Sequence, residues 1–281
     1  MSKDQFARQA FGARLRELRM SADLSGVALA VLAGWSGARV TRYELGQRLP
    51  SRSDLHIWCR LTDSEDDFSD LLAYSQNIDT AYMEWRRMKS RNVQERTGQI
   101  EAAAEMIRGY DPTLIPGLLQ TTEYATAVLR TCLEFVESGE SVEAAVEARM
   151  NRQNAVRQGR ARMHFIIAEQ TLYTAVGGNA VLEGQLEHLL TCTNSTRVTI
   201  GLIPKDAVFP GPAPDFLMFD QVEVALETAS AGLAIRQPGE ISLYERIFER
   251  LAAQSVVGDP ARALIWNAMV HVRKKGTEQA V

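Results

Sequence analysis

Along the first sixty residues the apolar positions recur at the period of a helix. Phe6, Phe11, Leu15 and Leu18 fall on one face with Arg8, Arg14, Arg16 and Arg19 on the others, which predicts a first amphipathic helix. Asp23 and Ser25 offer turn and N-cap side chains for a second helix from about Gly26 to Ala33. Gly34 follows, and its missing Cβ suits a tight turn between two closely crossing helices. Ser36 can cap a third helix running through Arg39, Val40, Thr41, Arg42 and Tyr43 to about Leu45. Gly46 stops it, Pro50 opens the next, and Leu55, Ile57, Trp58 and Leu61 supply a further apolar face. Two short helices joined by a glycine turn define a helix-turn-helix. The internal spacing meets its steric demands: counting from Gly26, small Ala30 is fifth where the helices touch, Gly34 ninth at the turn, and Val40 and Tyr43 fifteenth and eighteenth in the core.

Beyond an acidic stretch from Ser64 to Asp70 a helix is expected to open near Asp67, and the pattern then predicts a long helix from Thr80 to Ile107. Tyr82, Trp85, Met88, Val93, Ile100 and Met106 are its scattered apolar anchors, and Gly98 can break it. A proline-punctuated turn covers Tyr110 to Thr121, and helices follow from Thr122 and from Val142 to Val156. After Arg162 the texture changes to short β-branched or aromatic runs. Strands are predicted at Met163 to Ala168, Arg197 to Pro204, Phe216 to Phe219 and Val222 to Leu226, with Asp220 and Gln221 as a hairpin turn. Helices from about Asn179 to Cys192, Ser242 to Ala253 and Pro260 to Val272 complete the pattern. The expected fold class is α+β: an N-terminal all-α helix-turn-helix domain over residues 1–75, then a larger α+β domain with a small sheet over 76–281.

Composition narrows the classes. The chain has 281 residues, 46% hydrophobic and 23% charged, so each domain can bury its own core, and a disordered, fibrous or disulfide-stapled chain is excluded. No apolar run approaches the roughly 18 residues that span a bilayer, and no signal peptide opens the chain, so no membrane is expected. Cys59, Cys132 and Cys192 are odd in number and far apart, as expected of reduced thiols in a cytoplasmic protein. The net charge of −4 conceals a division: residues 1–60 hold ten Lys and Arg against five acids, leaving 21 bases and 30 acids for the rest. The head is thus +5 and the body −9. A basic head on an acidic body points to a polyanion for the head and a different task for the body.

From Phe11 to Thr62 the sequence resembles a bacterial repressor-type helix-turn-helix of the xenobiotic-response-element (XRE) family. The resemblance implies that the third helix lies in the major groove of double-stranded DNA, with Ser36, Gly37, Ala38, Arg39, Thr41, Arg42 and Arg48 as the DNA-binding candidates. Arg39 and Arg42 are three apart and share a face, so one can read a guanine while the other holds a phosphate; the alternative is that both only solvate the helix. Gly26 replaces the polar residue that often starts the second helix, and Gly37 and Ala38 replace longer readers, leaving thymine methyl contact and few side chains for discrimination. One head should bind modestly, so a homodimer on a two-fold site is expected.

The body shows no enzymatic signature. His56, His164, His188 and His271 are dispersed, and no nucleophile elbow, phosphate loop, nucleotide-binding glycine cluster or metal-spaced Cys/His set is present. His188 and Cys192, four apart on a helix, can face one ion but lack companions. Arg149, Arg152, Gln153, Glu169 and Gln185 form a candidate regulatory pocket, the alternative being a satisfied structural network. No enzyme, cofactor or metal is therefore expected. The words IPGLLQT (Ile115 to Thr121), ARMNRQ (Ala148 to Gln153) and AEQTLY (Ala168 to Tyr173), with the spacing from Gly177-Gly178 to Gln185-Leu186, resemble the actinobacterial Scr1-family antitoxin-like regulators over nearly the whole chain. That resemblance implies a transcription regulator whose body senses a signal or docks a small protein encoded nearby. The alternative is an antitoxin-like protein that chiefly sequesters such a partner, and a processing enzyme tethered to DNA is a more remote third.

Overall fold

The computed structural model describes residues 3–77, 82–84, 98–136, 141–208, 211, 213–228 and 231–278. The chain divides into two compact units, one of residues 1–82 with 234–242, the other of 83–233 with 243–281.

The first unit carries helices α1 (Lys3–Ser21), α2 (Gly26–Ala33), α3 (Gly37–Glu44), α4 (Arg52–Leu61) and α5 (Phe68–Asn77), with a 3₁₀ turn at Glu65–Asp67. Local chemistry sets their ends. The Ser25 hydroxyl accepts the Ala28 N–H at 3.0 Å and starts α2, and Ser51 does the same for Asp54 at the start of α4. Gly34 ends α2 in the left-handed conformation, φ 69°. Ser36 stands at the N-cap position of α3, yet its side chain makes no capping hydrogen bond, contrary to expectation. Phe11, Leu15, Leu29, Val40, Tyr43, Leu55 and Trp58 close one core, and the Trp58 indole donates to the Leu15 carbonyl at 3.2 Å.

Beyond the first five helices the chain forms a mixed sheet of seven strands in the order β1-β7-β6-β5-β2-β3-β4. These are β1 (Tyr82–Glu84), β2 (Met106–Asp111), β3 (Arg162–Ala168), β4 (Val198–Ile203), β5 (Phe216–Phe219), β6 (Glu223–Glu227) and β7 (Ala231–Ile235). Strands β2, β3 and β4 are parallel neighbours. Helices α6 (Thr122–Val136) and α7 (Val142–Gln158) make the first crossover and α8 (Asn179–Cys192) the second, as parallel pairing requires. β5 pairs antiparallel with β2 and with β6, through a turn in which Asp220 takes φ 50°. α9 (Pro238–Ala252) and α10 (Asp259–Glu278) end the chain. Ile107, Phe165, Ile167, Leu202, Leu182, Leu186, Ile265 and Met269 belong to one buried cluster between sheet and helices.

The α+β class therefore holds, with three strands more than the sequence pattern predicts. The expected long helix from Thr80 to Ile107 is the main correction: residues 82–84 and 106–111 are strands and 98–103 are helical, while 85–97, with Trp85, Met88 and Val93, lie outside the described residues. β2 is central, bonded on both sides, and its inward positions are Ile107 and Gly109. A Cβ at Gly109 would stand 2.7 Å from the Leu217 side chain and 2.9 Å from Phe165, so glycine is what lets those side chains close over the strand.

Candidate nucleic-acid interface

α3 is fixed from three sides. Its C-terminal carbonyls lie against the backbone of α1 at Gly12, where a Cβ would be 2.4 Å from the Glu44 carbonyl oxygen. Gly46, at φ 66°, comes as close to the Arg8 carbonyl. Arg19 forks onto Glu44 at 2.6 and 3.1 Å and also donates to the Leu24 carbonyl at 2.6 Å. Arg19 is thus a buried tie between α1, α3 and the turn before α2, not one of the solvated arginines the pattern suggested. Its position four after Leu15, on the buried face, was the available signal.

On the third side sits a polar cluster. Buried Asp54 of α4 accepts the Tyr43 hydroxyl at 2.7 Å and the Arg39 guanidinium at 2.6 Å. Arg39 also donates to the Tyr43 oxygen at 2.9 Å and lies 5.0 Å over the Trp35 ring. Burial alone would raise the Asp54 carboxyl, but hydrogen bonds from Tyr43, Arg39 and Ser51 outweigh it and hold the group below the ordinary range. Burial and the bond to Asp54 push the Tyr43 phenol up.

The solvent side of α3 presents Ser36, Gly37, Ala38, Thr41 and Arg42, all exposed, with exposed Arg48 just beyond. Thr41 bonds back to the Gly37 carbonyl at 3.1 Å and Arg42 to Ala38 at 3.2 Å, both within α3. Of the seven sequence candidates, six therefore share an open surface, and Arg39 is turned against α4. Sequence spacing put Arg39 and Arg42 on one face and missed the acceptor waiting on the neighbouring helix. The side chains at 36–38 are small and exposed, so little stands between the backbone of α3 and solvent there.

In the body the candidate pocket resolves into separate ties. Gln153 donates to the carbonyls of Gly117 and Gln120 at 2.7 and 2.9 Å. Gln185 accepts the Thr121 N–H at 2.7 Å and donates to the Leu119 carbonyl at 2.8 Å, while Arg149 holds the Gln120 side chain at 2.7 Å. These three residues converge on the turn over residues 115–121. Arg152 pairs with buried Glu101, and although burial would lower the guanidinium, that hydrogen bond keeps it raised. Burial lowers Arg149. Glu169 stands elsewhere, accepting the Lys205 N–H after β4 at 2.9 Å. His188 and Cys192 approach to 3.4 Å, and among the described residues no group of three His, Cys, Asp or Glu converges. No helix among them is long and apolar enough to cross a membrane.

A family model described as a helix-turn-helix domain matches residues 10–71, and a second, described as a domain of unknown function (DUF5753), matches residues 94–267, more than half of the chain. No curated protein matches. Among solved structures, the archaeal chromatin protein TrmBL2, described as showing a novel mode of DNA binding, aligns at 10% identity and a TM-score of 0.31, covering 91% of this chain and 100% of that one. That is too weak a likeness to set a fold or a function.

Proposed function

Because the chain belongs to the DUF5753 family and carries a helix-turn-helix ahead of that domain, we propose that it is a sequence-specific DNA-binding transcription regulator. The observation that carries this reading is the exposed run Ser36, Gly37, Ala38, Thr41 and Arg42 on a helix locked to α1 and α4. α3 enters the major groove, Arg42 is its one long reader, and Arg48 holds a phosphate. Two copies occupy a two-fold site, and the acidic body senses a signal or docks a small protein. The finer kinship is with XRE-type repressors and the Scr1 group, and the protein is cytoplasmic and not an enzyme. A second reading, an antitoxin-like protein that chiefly sequesters a small partner, is favoured by Val27 and Val31, which stand 72% and 74% exposed on one side of α2.

Footprinting of the full chain over the DNA upstream of its own gene tests the proposal. A protected two-fold site that Arg42→Ala weakens supports it. Binding that is equal on all sequences, or none, overturns it.

A further inference from the structure

α10 carries apolar residues on two sides. Ala261, Ile265, Ala268 and Val272 are buried in the core of the body. On the opposite side Ala263 is exposed, Trp266 is 53% exposed and Val270 is half-buried. Asp259 and Lys274, both exposed, close the two ends of this stripe. At 100° per residue, positions 259, 263, 266, 270 and 274 fall within a sector of about 80°. An exposed tryptophan among small apolar neighbours, rimmed by charge, is the composition of an interface centre.

We infer that this stripe docks a second copy of the chain, two α10 helices packing antiparallel about a two-fold axis between Trp266 and Asn267. The axis follows from the residue spacing. Asp259 and Lys274 lie equally far from that midpoint, and so do Ala263 and Val270. Antiparallel packing therefore sets each Asp259 opposite Lys274 of the other copy, and each small Ala263 opposite Val270 of the other copy. A parallel pair would instead set Asp259 against Asp259. The patch is self-complementary, as an isologous interface must be. Neither Asp259 nor Lys274 makes an ion pair among the described residues, whereas neighbouring Arg273 is already held by Glu183 and Glu187 at 2.5 and 2.6 Å. Asp259, in the first turn, also suits the dipole of α10. The stripe spans only about 22 Å, so the association is expected near the micromolar range. The inference rests on the proposed reading in one respect: two linked heads are what a two-fold operator requires.

Sedimentation equilibrium of the full chain across the micromolar range is the test. The wild type should be a reversible dimer, and Trp266→Glu should weaken it by at least about ten-fold with an unchanged thermal midpoint. Asp259→Lys and Lys274→Asp should each weaken the dimer, and the double exchange should restore it, since only antiparallel packing brings the two positions together. The exchange also decides the matter should Trp266→Glu fail to fold. A monomeric wild type, a dimer indifferent to Trp266→Glu, or a double exchange that does not restore association overturns the inference. Footprinting of the same wild-type sample separates the two readings: an operator protected by a monomer overturns the interface alone, and an intact dimer with no operator overturns the DNA-binding reading alone.

Discussion

Arg39 and Arg42 are one turn apart on α3 and have opposite fates. Arg39 is committed to Asp54, Tyr43 and Trp35, and Arg42 reaches solvent. Arg42→Ala should therefore flatten base preference at one position by about 1 to 3 kcal/mol, whereas Arg39→Ala should lower the melting temperature of the head and weaken all sequences alike. Mobility shifts on an operator and its single-base variants, beside thermal melts, distinguish them; a selective loss with Arg39→Ala would reverse the assignment. Two carboxyls are also displaced in opposite directions. Asp54 is held low, while burial, reinforced by Asp215, pushes Asp111 up to about 6 against the hydrogen bonds from Leu114 and Thr113. A folded-state value above the unfolded one means that the native state binds the extra proton, so this contribution is full below about pH 4 and is lost as pH rises through about 6. This contribution to the melting temperature should fall over that window, and Asp111→Asn should remove that part of the slope; an identical profile in the variant would refute it.

At the scale of elements, what a segment shows in its own residues was legible, and what its neighbours impose was not. The turn between α2 and α3, the helix Asn179–Cys192 and the hairpin at Asp220 all announce themselves through caps, glycine or periodicity. β2 does not. Its inward glycine and its Arg108 hide the two-residue period, and only β3 and β5 on either side make it a strand. Ala231–Ile235 has one β-branched residue and is equally silent. The turn over 115–121 stood out as a motif, yet its partners come from α7 and α8. Gln185 is fully buried and satisfies both the Thr121 N–H and the Leu119 carbonyl. Gln185→Leu keeps the volume and orphans both groups, so it should cost about 1 to 3 kcal/mol for each. Urea unfolding measures this, and a loss below half of that would show that water replaces the amide.

For the whole molecule, the partition of +5 and −9 was plain in the sequence, and so was the order of an all-α head and an α+β body. The stripe on α10 was not, because a helix with apolar residues on two sides reads as one buried element until the core claims one of them. Linking two heads makes the second binding event intramolecular, so Trp266→Glu should weaken a full two-fold operator by about 10²-fold while leaving a half-site unchanged. The dependence on salt should also fall to about half, since one head neutralises half the phosphates. Titrations at several salt concentrations on both DNAs provide the check; equal losses on the half-site would place the effect in the head instead.

Gly12 and Gly37 set out where this head is free to vary. At Gly12 any added side chain strikes the carbonyls of Tyr43 and Glu44, so the seat of α3 tolerates no change. At Gly37 a Cβ would meet nothing within 4 Å, and the exposed positions 36, 38, 41 and 42 around it carry no part of the core. Mutation can therefore rewrite the side chains exposed on α3 while the frame beneath stays intact. If α3 reads an operator as proposed, a lineage built on this chain can acquire new ones by a few substitutions on α3 without first losing a folded protein, and a randomised library at those positions would explore specificities from one stable scaffold.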